Sequence, residues 1–167
     1  MKTLFFVLVG VLFSGCGSSG DTKIEARISN DEVNVTLEVK SSRAYVRNVS
    51  VSANESAYTF TVSVESFDTG CDSFADWWEV LREDGSLAYR RILLHSHVGD
   101  QPFTRSGSSV AISQDEILYV RAHMNKDGYG PNQYVGSVAN GFKEAKTNLA
   151  VNPSVELLEP QNQGCAF

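Results

Sequence analysis

From Thr22 onward the apolar residues recur at every second position. Ile24, Ala26 and Ile28 alternate with Lys23, Glu25 and Arg27. Beyond the turn pair Asn30-Asp31, Val33, Val35, Leu37 and Val39 alternate with Asn34, Thr36 and Glu38. A two-residue turn there sets Ile28 opposite Val33, Ala26 opposite Val35 and Ile24 opposite Leu37, so both strands of a hairpin over 22–40 share one apolar face. The same period predicts strands at 49–51, 58–64, 110–112, 117–124 and 134–138, and a hairpin of 77–83 with 86–94 around Asp84-Gly85. Residues 101–107 read as a crossover loop with Phe103 as its plug, and 127–131 as a loop. No stretch carries a helical period. Short strands separated by turn signals predict an all-β, antiparallel β-sandwich.

The alternation also assigns faces. Leu118, Val120, Ala122 and Met124 point to the core, and Tyr119, Arg121 and His123 point away from it. Ile92, Leu94 and Val98 read as core, which leaves His95 and His97 on the opposite face. Pairing across Asp84-Gly85 sets Trp78 opposite Arg91, Val80 opposite Tyr89 and Asp76 opposite Leu93. Asp76, Trp78, Arg91, His95 and His97 are then expected on one face, with Trp77 as the core tryptophan.

Two kinds of chemistry suit that face. His95, His97 and His123 on neighbouring strands, with Asp76 as a further ligand or as an orienting partner, would hold Zn²⁺ or Cu²⁺ and make the chain a metal carrier. The plainer alternative is a set of hydrogen-bonded surface residues, with Arg91 stacked on Trp78. Trp78, Arg91, Arg105 and Tyr129 would equally present aromatic platforms and guanidinium forks to a sugar, a peptide or an acidic polymer.

Composition narrows the function classes. The 167 residues are 42% hydrophobic and 20% charged, enough for one domain with a single core. A net charge of −6 argues against a nucleic-acid partner. There is no nucleophile elbow, no H-E-x-x-H, no phosphate-binding loop and no C-x-x-C. Ser106, His97 and Asp100 have no spacing that supports a catalytic triad. The expectation is a protein without catalytic residues and without a cofactor.

The first residues read as an address. Lys2 precedes an apolar run from Leu4 to Phe13, too short to span a bilayer, and Ser14, Gly15 and Cys16 follow. That end resembles the bacterial lipoprotein signal. The resemblance implies removal of residues 1–15 and acylation of Cys16, with 16–21 as a lipidated tether and the membrane as partner. Gly17, where an aspartate would favour the inner membrane, implies the outer membrane of a bacterial envelope. Cys71 and Cys165 remain, 94 residues apart. In an oxidising compartment such a pair reads as a disulfide, the competing reading being two free or metal-binding thiols.

Tyr119, Val120, Ala122 and Gly128-Tyr129-Gly130, with Asp115 ahead of them, resemble the F strand, F–G loop and G strand of a fibronectin type III or immunoglobulin-like domain. The resemblance covers 45–138 and implies a sandwich within a single domain over 22–167, with 22–40 as an added hairpin and 139–167 as a C-terminal tail. Asp76-x-Trp78-Glu79-Val80, His95-x-His97, residues 101–106 and Arg121-Ala122-His123 are similar to exported bacterial proteins of unassigned activity. The resulting expectation is a non-catalytic envelope lipoprotein that binds an envelope protein, a peptide or a glycan.

Overall fold

The computed structural model describes residues 43–52 and 57–166. The expected signal peptide, the Cys16 expected to be acylated, the expected tether and the hairpin expected over 22–40 lie outside the described residues. Two antiparallel sheets face each other. One has the order β1-β2-β5, from β1 (Tyr45–Ser52), β2 (Tyr58–Glu65) and β5 (Phe103–Val110). The other has the order β4-β3-β6-β8-β9, from β3 (Ala75–Arg82), β4 (Leu87–Ile92), β6 (Leu118–Met124), β8 (Tyr134–Ser137) and β9 (Gly141–Glu144), and the short β7 (Gly128–Tyr129) also pairs with β6. Among the described residues the only helix is a 3-10 turn, Pro153–Leu157, with Asn152 Oδ1 accepting from the Ser154 amide at 3.0 Å.

The alternation of β2 matches its burial. Tyr58, Phe60, Val62 and Val64 enter the inter-sheet core while Thr59, Thr61 and Ser63 are only half-buried. Val80 and Trp78 of β3 and Leu118, Val120, Ala122 and Met124 of β6 meet them from the other sheet. Burial of such side chains stabilises a domain by about 1.5–3 kcal/mol each. The β3–β4 hairpin has the expected register, with Trp78 opposite Arg91 and Val80 opposite Tyr89, and the Leu93 amide donates to the Asp76 carbonyl at 2.8 Å. Its turn needs Gly85, which has φ +81°, and the Asp84 carboxylate accepts from the Ser86 amide at 2.9 Å.

Three expectations are corrected. Residues 103–110 form edge strand β5, not a crossover loop; Phe103 and Val110 anchor its buried ends, and the polar and small residues between them hide the period. Gly107 is required there, because a Cβ would lie 2.7 Å from the Tyr89 ring. β4 ends at Ile92, so alternation stops: Leu93 is buried, whereas Leu94 and Val98, expected in the core, are exposed. The tail after Ser137 contributes β9, whose Phe142 meets Phe60 edge-on at 5.7 Å.

Candidate functional site

β3 is buried along all of its length except Arg82. The inter-sheet core covers one of its faces, and the segment 153–166 crosses the other. Arg90 of β4 ties that segment down by donating to the carbonyls of Val155 at 2.8 Å and Leu158 at 2.5 Å. Asn162 donates to the Leu93 carbonyl at 2.7 Å, and the Ala166 amide donates to the Leu94 carbonyl at 2.6 Å. A disulfide joins Cys165 to Cys71, with the Cα atoms 5.4 Å apart.

Beneath this strap lies a charge network. The Glu79 carboxylate is fully buried. It accepts from Arg90 Nε at 2.8 Å on one oxygen and from Arg121 Nε at 2.8 Å on the other. Both arginines come from facing positions on the flanking strands, Arg90 on β4 and Arg121 on β6. The Arg121 guanidinium also lies 3.4 Å from the centroid of the Tyr129 ring. Burial, and then the neighbouring Glu79 charge, push the Tyr129 phenol up to about 12.

The same strand end carries a second polar group. In the β3–β6 pairing Ala75 faces Met124 and Trp77 faces His123, so Asp76 is the extra residue of a β-bulge. The bulge turns Asp76 out of strict alternation and onto the strap side. There Asp76 Oδ1 lies 2.7 Å from His123 Nδ1, with both residues buried. His123 Nε2 lies 3.3 Å from Glu156 Oε1 on the strap. The imidazole stacks on the Trp77 ring at 3.7 Å and 5°. Beside this group is a cleft of about 380 Å³, walled by Asp76, Trp77, His123, Glu156, Asn162 and the Cys71–Cys165 bridge.

His95 and His97 sit elsewhere, in the loop after β4, with ring centroids 4.7 Å apart. The His97 ring stacks on Phe103 at 3.7 Å, and its Nε2 lies 2.8 Å from Arg105 Nη2. A guanidinium only donates, so this contact requires an unprotonated Nε2. Burial lowers the His97 imidazole below its ordinary value, and the charges of Arg105 and His95 lower it further.

The expected shared face therefore divides. The bulge and the early end of β4 pair Asp76 with His123 and His95 with His97, and the two pairs do not join. Among the described residues no three His, Cys, Asp or Glu side chains are grouped to hold a metal ion. Trp78, expected as a ligand platform, is wholly buried in the inter-sheet core, and Trp77, expected there, lies under the strap. Arg91 bridges the two sheets by donating to the Ser106 carbonyl at 3.0 Å. Arg105 belongs to the His97 cluster, and Tyr129 to the Arg121 network. Glu156 and Asn162 were outside the sequence reading, where the only signal was Cys165, a cysteine able to pin the tail across a strand.

Comparison with known proteins adds one relative. The chain is 31% identical over 134 residues to a protein of Halomicrobium mukohataei named "Putative lipoprotein". The alignment covers 75% of this chain and 66% of that protein. No family model matches the chain, and no solved structure matches it.

Proposed function

We propose that this chain is an envelope lipoprotein, anchored through Cys16, whose β-sandwich is a non-catalytic binding module. The anchor is supported by the Ser14-Gly15-Cys16 sequence after a short apolar run and by the name of the relative. In an envelope with two membranes, Gly17 favours the outer one by the same resemblance. The partition of β1, β2 and β5 from β4, β3, β6 and β8 supports a fibronectin type III-like reading of the sandwich. Fold alone assigns no activity, so the binding surface has to come from a site.

The observation that carries the reading is the cleft between β3, β6 and the strap. A concave site with a few convergent polar groups is where a ligand binds by default, and about 300–1,000 Å³ is the usual range. The cleft has that size and places the buried Asp76–His123 pair at its wall. The test is a fragment screen on the full-length chain, read on the His123 ring and the indole of Trp77. Fragments that move these signals and leave Trp78 in place support the cleft as the binding surface. A screen in which none does so refutes it. For the anchor, the intact mass of membrane-extracted protein should show an acylated Cys16, and Cys16→Ser should release the chain from the membrane fraction.

A further inference from the structure

We propose that the pocket where the loop after β4 meets β5 is a site for a small oxyanion, a carboxylate, phosphate or sulfate group. It shares no lining residue with the cleft under the strap. Arg91, His95, His97 and Arg105 line it, and no acidic residue does. Its volume of about 80 Å³ matches two or three water molecules at ~30 Å³ each, room for one oxyanion group.

The pairing of the arginines singles this pocket out. Four of the six arginines on strands, Arg47, Arg82, Arg90 and Arg121, reach a carboxylate. Arg91 and Arg105 reach none among the described residues, in a chain with 20 acidic residues against 14 basic ones. Neutral acceptors hold them instead. Arg91 Nε donates to the Ser106 carbonyl at 3.0 Å. Arg105 Nη1 donates to the Thr104 carbonyl at 2.9 Å, and its Nη2 to His97 Nε2 at 2.8 Å. A guanidinium carries five N–H donors, so these bonds fix both groups and leave most of their donors without a protein partner. The His97 ring registers the same positive field. Burial lowers it below its ordinary value, the charges of Arg105 and His95 lower it further, and Asp68 and Asp100 offset them only in part. Asp68 is committed to the His97 amide at 2.7 Å and the Ala75 amide at 3.0 Å, and neither acid lines the pocket. A cation would be repelled here. A neutral ligand would displace water from two charges without compensating them. An oxyanion accepts from both guanidiniums at once.

The chain has three histidines, so [13C]histidine labelling of the full-length protein in neutral detergent micelles gives three imidazole signals. His95→Gln and His97→Gln assign them. Phosphate, methyl phosphate, sulfate and acetate are titrated separately at pH 7, with ionic strength held by sodium chloride. At least one should move the His95 or His97 signal saturably, with a Kd of ~1 mM, and leave His123 unmoved. Methyl phosphate against phosphate separates a group carried on a larger molecule from the free ion, and acetate stands for carboxylates. Arg91→Gln should weaken that anion about tenfold or more, since bonds between charged groups are the stronger ones. Arg91→Lys, which keeps the charge and loses the fork, should recover part of the affinity. Arg105→Gln gives the second reading if Arg91→Gln does not fold. The site is overturned if none of the four anions moves either signal, if sodium chloride alone moves them equally, or if the folded arginine variants bind as wild type does. None of these results bears on the cleft under the strap, which the fragment screen reads on His123 and Trp77.

Discussion

Replacing Glu79 by glutamine tests how the outer face of the larger sheet is held. Glu79 is the only carboxylate bonded to two guanidiniums among the described residues, one bond to each oxygen. Its own side chain and that of Arg90 are fully buried, and that of Arg121 is 9% exposed. Glutamine keeps the shape and removes the charge, leaving two guanidiniums that cannot deprotonate. Breaking a buried ion network by removing one partner costs about 3–5 kcal/mol, chiefly because uncompensated charge stays buried. The lower end applies here. Arg90 retains the Val155 and Leu158 carbonyls as acceptors, and Arg121 retains the face of Tyr129.

A loss of ~3 kcal/mol is a large share of a typical stability of about 5–15 kcal/mol. It should lower Tm by roughly 10 °C for a domain of this size. Circular dichroism melts of the wild type and Glu79→Gln at pH 7, disulfide intact, measure it. The double variant Glu79→Gln/Arg121→Leu removes one stranded cation and should be more stable than Glu79→Gln alone. Such a sign of coupling is expected only between groups in direct contact. A Glu79→Gln loss below ~1 kcal/mol, or a double variant less stable than the single one by the full cost of Arg121→Leu, would show that water compensates these charges and refute the reasoning.

Two further outcomes follow from the same structure. Cys71→Ser should destabilise the domain by about 4–5 kcal/mol in the chain-entropy account for a 94-residue span, and free the strap; proteolysis confined to 153–166 in the variant, with wild type resistant, is the readout, and equal resistance would contradict it. His97 is held below its ordinary value in the fold, so the unfolded chain takes its proton first as pH falls. The stability it contributes is complete above about 6.5 and is lost as pH drops from there toward the folded value. Arg105 and His95 face this ring as cations, and Asp68 and Asp100 oppose them. Denaturation midpoints at pH 7.5 and 5.5 should therefore differ more for wild type than for His97→Gln, and an unchanged difference would remove His97 as the cause.

What the sequence showed and what it concealed differ for physical reasons visible on β3. Where a strand has one buried face, as β2 does, alternation reads directly as structure, and the Asp84-Gly85 turn fixed the β3–β4 register without help. β5 escaped because an edge strand with Ser and Gly at its centre presents no apolar period. The strap escaped because its hold on the sheet is made by backbone carbonyls, to which Arg90 donates and which leave no residue-type signal. The errors on β3 have two origins: the strand is buried on both faces, so nothing in the sequence told Trp77 from Trp78 as the inter-sheet residue, and its pairing with β6 is irregular. A bulge at Asp76 moves one side chain across the sheet, and that shift is invisible to any argument from period alone. Yet the sequence did hold a clue to the covered face. β3 carries Glu79 among apolar residues, and its neighbours carry Arg90 and Arg121 at the positions facing it. An acid inside an apolar strand, with arginines opposite it on both sides, is what a strand buried on two faces requires, because charge left unpaired there would prevent burial. Read in that way, the polar positions of β3 imply a second cover over the sheet, and Cys165 is the residue that brings the cover back to it.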